Sequence, residues 1–307
     1  MSTDAAPPYL VSIIEDTLAR KAIEFSQPDC GLSAAHRFSV RLDDGSRVFV
    51  KAATDEDTNE WLRTEHLVLS TMPHELVPRV VAWVEPVGGW PVLIAEDLSQ
   101  AYWPASHAGV TWRSGDFDLL FAAIEQLASL SANPQLPAME NRPTSIWSSI
   151  VAKPEFFLTL ELCSARWLGD AIDTLIEAER NADVTGVAFV HGDIRSDNIC
   201  ILGTQVKFVD WSHAARGSST YNLAQVLPTL HLEGGPPPYE IMPNGGSYAA
   251  ASCAGHIRRL ARDQGMPGWL QDVFRRLIAI DLRWAAASLG LPKLDGRSAV
   301  ASGVPEA

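Results

Sequence analysis

The chain has 307 residues, long for one compact unit and enough for two lobes that each bury a core. Apolar residues make up 47% and charged residues 20%, the composition of a globular chain and not of a disordered one. A formal charge of -13 argues against nucleic acid or an anionic membrane as a general partner. No apolar run reaches the ~20 residues that a transmembrane helix needs. The opening Met1–Pro8 lacks the basic start and apolar stretch of a secretory signal. Cys30, Cys163, Cys200 and Cys253 lie far apart without a CxxC pair, which argues against a zinc site or a disulfide framework and for reduced thiols in a cytoplasmic protein.

Val11, Ile13, Ile14, Leu18 and Ile23 follow a helical period, so the chain is expected to open with an amphipathic helix. His36–Leu42 alternates, Asp43-Asp44-Gly45-Ser46 signals a turn, and Arg47–Ala52 resumes as a strand; together they read as a β-hairpin. A charged helix is expected from about Asp55 to Ser70, then short strands at Val80–Val84 and Val92–Glu96. Beyond Leu98 the strands nearly stop. Helices are expected at Asp116–Ser131 and Phe156–Arg180, and strands return at Val187–Val190 and Gln205–Val209. The last third reads as helical apart from the Gly/Pro-rich stretch 234–238, with a disordered tail after about residue 291. A mainly β first third joined to a mainly helical remainder indicates an α+β protein of two lobes.

The densest chemical signal is Phe189-Val190-His191-Gly192-Asp193-Ile194-Arg195-Ser196-Asp197-Asn198-Ile199. An apolar strand ends at His191, a polar loop follows, and apolar packing resumes after Asn198. A second apolar strand then delivers Asp210-Trp211. Two acids and a carboxamide at the ends of short buried strands supply oxygen ligands, which suit a hard cation such as Mg²⁺ and the phosphates it bridges. Asp and Asn also cap turns as a matter of course; here the spacing, the flanking strands and the downstream Val-Asp-Trp all agree with a ligand set.

The loop His191–Asn198 resembles the catalytic loop of the aminoglycoside phosphotransferase and choline kinase family, which shares the protein-kinase fold. Its histidine-glycine-aspartate opening is that of small-molecule kinases, where protein kinases carry histidine-arginine-aspartate. The resemblance covers roughly residues 25 to 290. It implies a bilobal, protein-kinase-like α+β fold, with a small β-rich N-terminal nucleotide-binding lobe (1–98) and a larger helical C-terminal catalytic and substrate lobe (99–307). It implies ATP or GTP with Mg²⁺ as cofactors and a small-molecule hydroxyl acceptor as partner. Asp193 would orient the acceptor hydroxyl and take its proton, and Asn198 and Asp210 would hold the metal. Arg195 would neutralise charge on the transferring phosphoryl group, or pair with Asp193 or Asp197 at rest; both readings stand.

The same resemblance assigns Lys51 to the α- and β-phosphates and Glu65 as its helix partner. The phosphate-covering loop falls near Gly31 and Ser33, although the Gly-x-Gly-x-x-Gly pattern is absent. The backbone of Glu96 and Leu98 would meet the adenine edge. Tyr221-Asn222-Leu223-Ala224 departs from the family, which has aspartate where Asn222 stands. The segment before the catalytic loop is acidic (Glu155, Glu161, Asp170, Asp173, Glu177, Glu179, Asp183), whereas the C-terminal helices are rich in arginine, so a polycationic acceptor meets mixed signals. Trp103, Trp112, Trp269 and Trp284 either stack on an acceptor or pack in the interior. The expected activity is phosphoryl transfer to a hydroxyl of an antibiotic, amino sugar or amino alcohol, in the manner of an antibiotic-resistance kinase. The alternative is a kinase-like pseudoenzyme that only holds nucleotide.

Overall fold

The computed structural model describes residues 6–28, 34–106 and 109–296. Helix α1 (Pro8–Leu18) begins on a proline, which suits a first turn, and buries Leu10 and Ile14 one turn apart. It stops earlier than its periodicity indicated, because Ala19 turns left-handed at φ +50°. Ile23, expected on that helix, instead lies on strand β1 (Ala22–Ser26). This strand is made by pairing with its neighbour, a signal that helical spacing cannot carry.

Strands β2 (His36–Leu42) and β3 (Arg47–Ala52) form the expected hairpin, with Phe38 opposite Val50 and Val40 opposite Val48. Gly45 takes φ +83° in its turn, where a side chain would be strained. Helix α2 (Glu56–Thr71) opens on a capping box: Asp55 accepts from the Thr58 N–H, and the Thr58 hydroxyl bonds back. Strands β4 (Val80–Val84) and β5 (Val92–Glu96) complete an antiparallel sheet in the order β1-β2-β3-β5-β4. Its core joins Leu10 and Ile14 of α1 to Phe38, Val40, Val48, Val50, Val92 and Ile94.

A short pair, β6 (Ala105–Ser106) and β7 (Gly109–Val110), precedes helix α3 (Asp116–Ala128). Helix α4 (Ile146–Ala152) follows, and the single helix expected over 156–180 is broken into α5 (Glu155–Leu158) and α6 (Ala165–Arg180). Glu161 turns left-handed at φ +55°, and the Ser164 side chain accepts from the Trp167 N–H to start α6 afresh. Strand β8 (Ala188–Val190) leads into the 191–198 loop. Strands β9 (Ile199–Leu202) and β10 (Gln205–Phe208) form a hairpin, and β11 (Ala215–Gly217) pairs with β8. Helices α7 (Tyr221–Leu232), α8 (Pro238–Ile241), α9 (Gly246–Arg262) and α10 (Gly268–Ser288) complete the chain, with α9 packed on α10 and α6.

By packing, the chain divides into two compact units: Met1–Pro137 with Val187–Arg216, and Ala138–Gly186 with Gly217–Ala307. This division does not fall at residue 98. Tyr102 exchanges backbone hydrogen bonds with Ile201 (3.0 and 2.8 Å), and the Phe208 N–H reaches the Leu76 carbonyl (2.8 Å), so the β9–β10 hairpin packs with the β-rich part of the chain. In the second unit the stretch after residue 291 is held as far as Asp295. Its carboxylate accepts from Ser164 N–H and Oγ (both 2.7 Å), and Trp167 Nε1 donates to the Pro292 carbonyl (3.0 Å).

Candidate active site

Strand β3 carries Lys51 to its inner end, and the third turn of α2 presents Glu65 towards it. Lys51 Nζ lies 2.6 Å from Glu65 Oε2 and 2.9 Å from Asp210 Oδ1. The Lys51 and Glu65 side chains are each 9% exposed, whereas that of Asp210 is 41% exposed, so the ammonium is buried and one carboxylate opens to solvent. Burial alone would lower the Lys51 pKa; the Glu65 and Asp210 carboxylates outweigh it and hold the ammonium protonated. Lys51 pairs with Glu65 and Asp210 and not with Glu60, about one and a half turns earlier in the same helix.

Asp210 follows β10 with φ +60° and ψ +65°, a left-handed conformation that costs a non-glycine residue and turns its carboxylate back over the strand end. Burial pushes its carboxyl up, but the Lys51 ammonium, with Lys51 and Ser212 hydrogen bonds, brings it down to about 2. It is a carboxylate at any neutral pH. Ser212 donates to Asp210 Oδ1 at 3.1 Å; nothing in the sequence singled out this serine.

The loop between β8 and β9 is pinned from inside. His191 is fully buried, and burial lowers it to about 4, so the imidazole is neutral. Nε2 lies 2.9 Å from the Val209 carbonyl and must carry the proton; Nδ1 therefore accepts from the Asp193 N–H at 3.3 Å. Gly192 takes φ +81°, and a Cβ built there would sit 2.5 Å from the His213 carbonyl oxygen. Glycine at this place answers both conformation and space, which gives the histidine-glycine-aspartate run a physical reason.

Asn198 Nδ2 donates to the Asp193 carbonyl (2.8 Å) and to Asp193 Oδ2 (3.3 Å), and the Val209 N–H donates to the Asn198 carbonyl (3.0 Å). With Nδ2 committed to Asp193, Oδ1 is the atom that remains for a cation. Burial raises the Asp193 carboxyl; Arg195 opposes and Asp197 adds to the shift. Arg195 pairs with Asp197 by two contacts (3.0 and 2.8 Å) and stands 3.7 Å from Asp193, so of its two readings the pairing is what the geometry displays. Lys51, Glu65, Asp193, Arg195, Asn198 and Asp210 thus lie in one connected group within the first compact unit.

Glu96 and Leu98 stand at and just beyond the end of β5. The Glu96 carboxylate accepts from Lys207 Nζ (2.7 Å) and from the Arg79 N–H (3.1 Å). The Leu98 carbonyl already accepts from the Ala101 N–H (2.9 Å) and Trp103 Nε1 (3.0 Å), so this backbone has its N–H left to offer. The Trp103 indole N–H is thereby accounted for by the Leu98 carbonyl. Trp284 is fully buried, and Trp269 is 68% exposed. Gly31 and Ser33 lie outside the described residues.

The acidic set before the loop separates on inspection. Glu179 is buried and caps α4, accepting from Ser145 Oγ (2.5 Å), Ile146 N–H (2.9 Å) and Trp147 N–H (3.0 Å). The other six acids are exposed. Cys163, Cys200 and Cys253 are buried and free, the first two thiols pushed up to about 12 by burial. Among the described residues no group of three or more His, Cys, Asp or Glu is arranged to hold a metal, and no helix is long and apolar enough to cross a membrane. One carboxylate and one amide oxygen still fit Mg²⁺, which is commonly held by one or two protein oxygens together with substrate phosphates.

No protein-family model and no curated protein matches the chain. Solved structures do. A thermostable mutant of the aminoglycoside phosphotransferase APH(4)-Ia, in ternary complex with ADP and hygromycin B, superposes with a TM-score of 0.56 at 12% identity, covering 89% of this chain and 98% of that one. The chain has the aminoglycoside phosphotransferase fold. Two further solved structures share this kinase-like α+β fold. The macrolide 2'-phosphotransferase MphH from Brachybacterium faecium gives a TM-score of 0.53 at 14% identity, covering 93% of this chain and 99% of that one. The GDP and kanamycin complex of APH(2")-IIia gives 0.52 at 14%, covering 92% and 99%.

Proposed function

We propose that the chain is a small-molecule O-phosphotransferase that moves the γ-phosphoryl group of ATP or GTP to a hydroxyl of an antibiotic, amino sugar or amino alcohol. The observation that carries this reading is the convergence of Lys51, Glu65 and Asp210 in one ion group, with Asp210 next to Val209, whose N–H bonds to the Asn198 carbonyl while the Asn198 amide bonds to Asp193. Phosphoryl transfer asks mainly for positioning and charge neutralisation, and this set supplies both. Functionally we assign 1–98 to nucleotide binding and 99–307 to catalysis and the acceptor, in an enzyme working in the cytoplasm on small molecules.

Lys51, held by Glu65, would meet the α- and β-phosphates. Asn198 and Asp210 would hold Mg²⁺, which when bound neutralises phosphate charge. Asp193 would accept the hydrogen bond of the acceptor hydroxyl. As the acceptor oxygen bonds to the γ-phosphorus, the bond from that phosphorus to the β–γ bridging oxygen breaks, and the hydroxyl proton passes to Asp193 and on to solvent. Its raised carboxyl suits a group that must take a proton and give it up again. Arg195, held by Asp197 beside Asp193, would meet charge on the transferred group.

The test is a coupled assay of nucleoside diphosphate release over aminoglycosides, macrolides and other hydroxylated antibiotics, amino sugars and choline-like alcohols, with ATP and with GTP. We expect acceptor-dependent release that Asp193→Asn lowers by about 100-fold or more while the nucleotide still binds. Nucleotide binding without release on any acceptor would favour the pseudoenzyme, and undiminished turnover in Asp193→Asn would remove the assigned base.

A further inference from the structure

Strand β10 reads Gln205-Val206-Lys207-Phe208, and Lys207 lies in its buried run at 6% exposure. A lysine there is costly unless its ammonium is matched. It is matched by Glu96 Oε2 at 2.7 Å and the Val77 carbonyl at 3.3 Å. Glu96 is the last residue of β5, where the chain leaves the sheet for the 97–101 linker. Apolar residues of similar volume often replace a buried ion pair without loss of stability, so stability alone gives little reason for this one. What a charged pair adds is a fixed register, because an ammonium and a carboxylate tolerate little sliding.

The same hairpin holds the linker at its far side. Tyr102 exchanges two backbone hydrogen bonds with Ile201 of β9, and its ring lies 3.7 Å beneath the Arg113 guanidinium. Lys207 stands opposite Cys200, and Ile201 opposite Val206, so both linker anchors occupy neighbouring rungs of the β9–β10 ladder. Asn198 precedes β9 and Asp210 follows β10, three residues from Ile201 and Lys207 respectively. At ~3.3 Å per strand residue, the linker anchors and the two oxygen ligands are set ~10 Å apart along one rigid ladder.

We propose that Lys207, through its buried pair with Glu96, is a positioning residue that holds the linker in register with Asn198 and Asp210, so that nucleotide base and phosphates are bound at a fixed spacing. This inference rests on the phosphotransferase reading above and deepens it. Lys207 touches neither ligand nor reacting atoms; it acts through Glu96. The linker then meets the base through the Leu98 N–H, since the Leu98 carbonyl is already saturated by Ala101 and Trp103.

The experiment is calorimetric titration with two probes in the presence of Mg²⁺: ADP, which carries a base, and inorganic tripolyphosphate, which does not. In Lys207→Met we expect the ADP Kd to rise about tenfold, about 1.4 kcal/mol. Tripolyphosphate should bind as in the wild type, because Lys51, Asn198 and Asp210 are unaltered. Glu96→Gln, which keeps the volume and removes the charge, should move ADP in the same direction and carries the test if Lys207→Met fails to fold. Equal weakening of both probes, the mark of a merely structural role, overturns the proposal, as does an unaltered ADP Kd. Wild-type protein that binds neither probe would remove the kinase reading and this inference together, whereas intact wild-type binding with unselective variants removes the inference alone.

Discussion

Lys51→Met isolates the structural share of the central ion group from its chemical share. Methionine keeps most of the volume and removes the charge. Glu65 is then left in a site where its side chain is 9% exposed, with its one close cation gone. Removing one partner of a buried pair costs about 3–5 kcal/mol, against a total stability of about 5–15 kcal/mol. Burial already pushes the Glu65 carboxyl up, and Lys51 is the chief opposing influence. In the variant only the weaker pull of Arg37 still opposes that push. An acid whose folded pKa lies above its unfolded value binds its proton more tightly when folded, so the folded state loses stability as pH rises from the unfolded carboxylate value, ~4.3, towards the raised one. The deficit of Lys51→Met relative to wild type should therefore be full at pH 8 and smaller at pH 5, by about 2 kcal/mol, in urea unfolding followed by tryptophan fluorescence. Lys51→Met/Glu65→Leu should recover to within about 1 kcal/mol of wild type, since both desolvated charges are gone, and yet transfer no phosphate. Asp210, with a side chain 41% exposed, keeps its hydration in both variants. A deficit below about 1 kcal/mol at pH 8, or one equal at both pH values, would refute the reasoning.

Gly192→Ala forces a side chain into φ +81° and onto the His213 carbonyl, so the loop must shift; we expect a loss of about 1–3 kcal/mol in stability and a fall in transfer rate beyond that loss, read from unfolding and from kcat. His191 is held at about 4 against an unfolded value of ~6.5, so the unfolded chain takes up the proton first and stability falls as pH drops from ~6.5 to about 4, by about 3 kcal/mol. His191→Asn should flatten that part of a pH–stability curve. Glu179→Ala leaves three donors of α4 without their acceptor and should cost about 2–4 kcal/mol, while the Kd for ADP is unmoved.

The parts of the site that were legible in the sequence are those set by local order. Asp193 and Asn198 stand five residues apart at the ends of two apolar strands, and a strand–loop–strand pattern fixes where their side chains emerge. Glu65 was separable from Glu60 because it shares a helical face with Leu62 and Leu69, which the structure buries. What was not legible depends on partners far along the chain. Ala22–Ser26 is a strand because β2 lies beside it, and its own spacing imitates the end of a helix. Lys207 and Glu96 meet across a separation of 111 residues, so neither position marks the other. The acid Glu179 carries the same composition signal as its exposed neighbours, and only its contact with Ser145 and the start of α4 tells it apart.

Two left-handed points, Gly192 and Asp210, flank the reacting set, and both are over-determined by buried neighbours. His191 and Asn198 each bond to the backbone of Val209, so the loop before β9 and the turn after β10 cannot move independently. Strain of this sort persists only where the surroundings fix it, and here the fixing groups are a neutral imidazole and the Asn198 main-chain carbonyl rather than solvent-exposed charges. The groups proposed to react are therefore held in place by the fold itself. On the proposed reading, Asp193 asks of an acceptor only a hydroxyl in line with the phosphorus. On the phosphotransferase reading, the choice among hydroxyl-bearing acceptors therefore falls to residues outside this set.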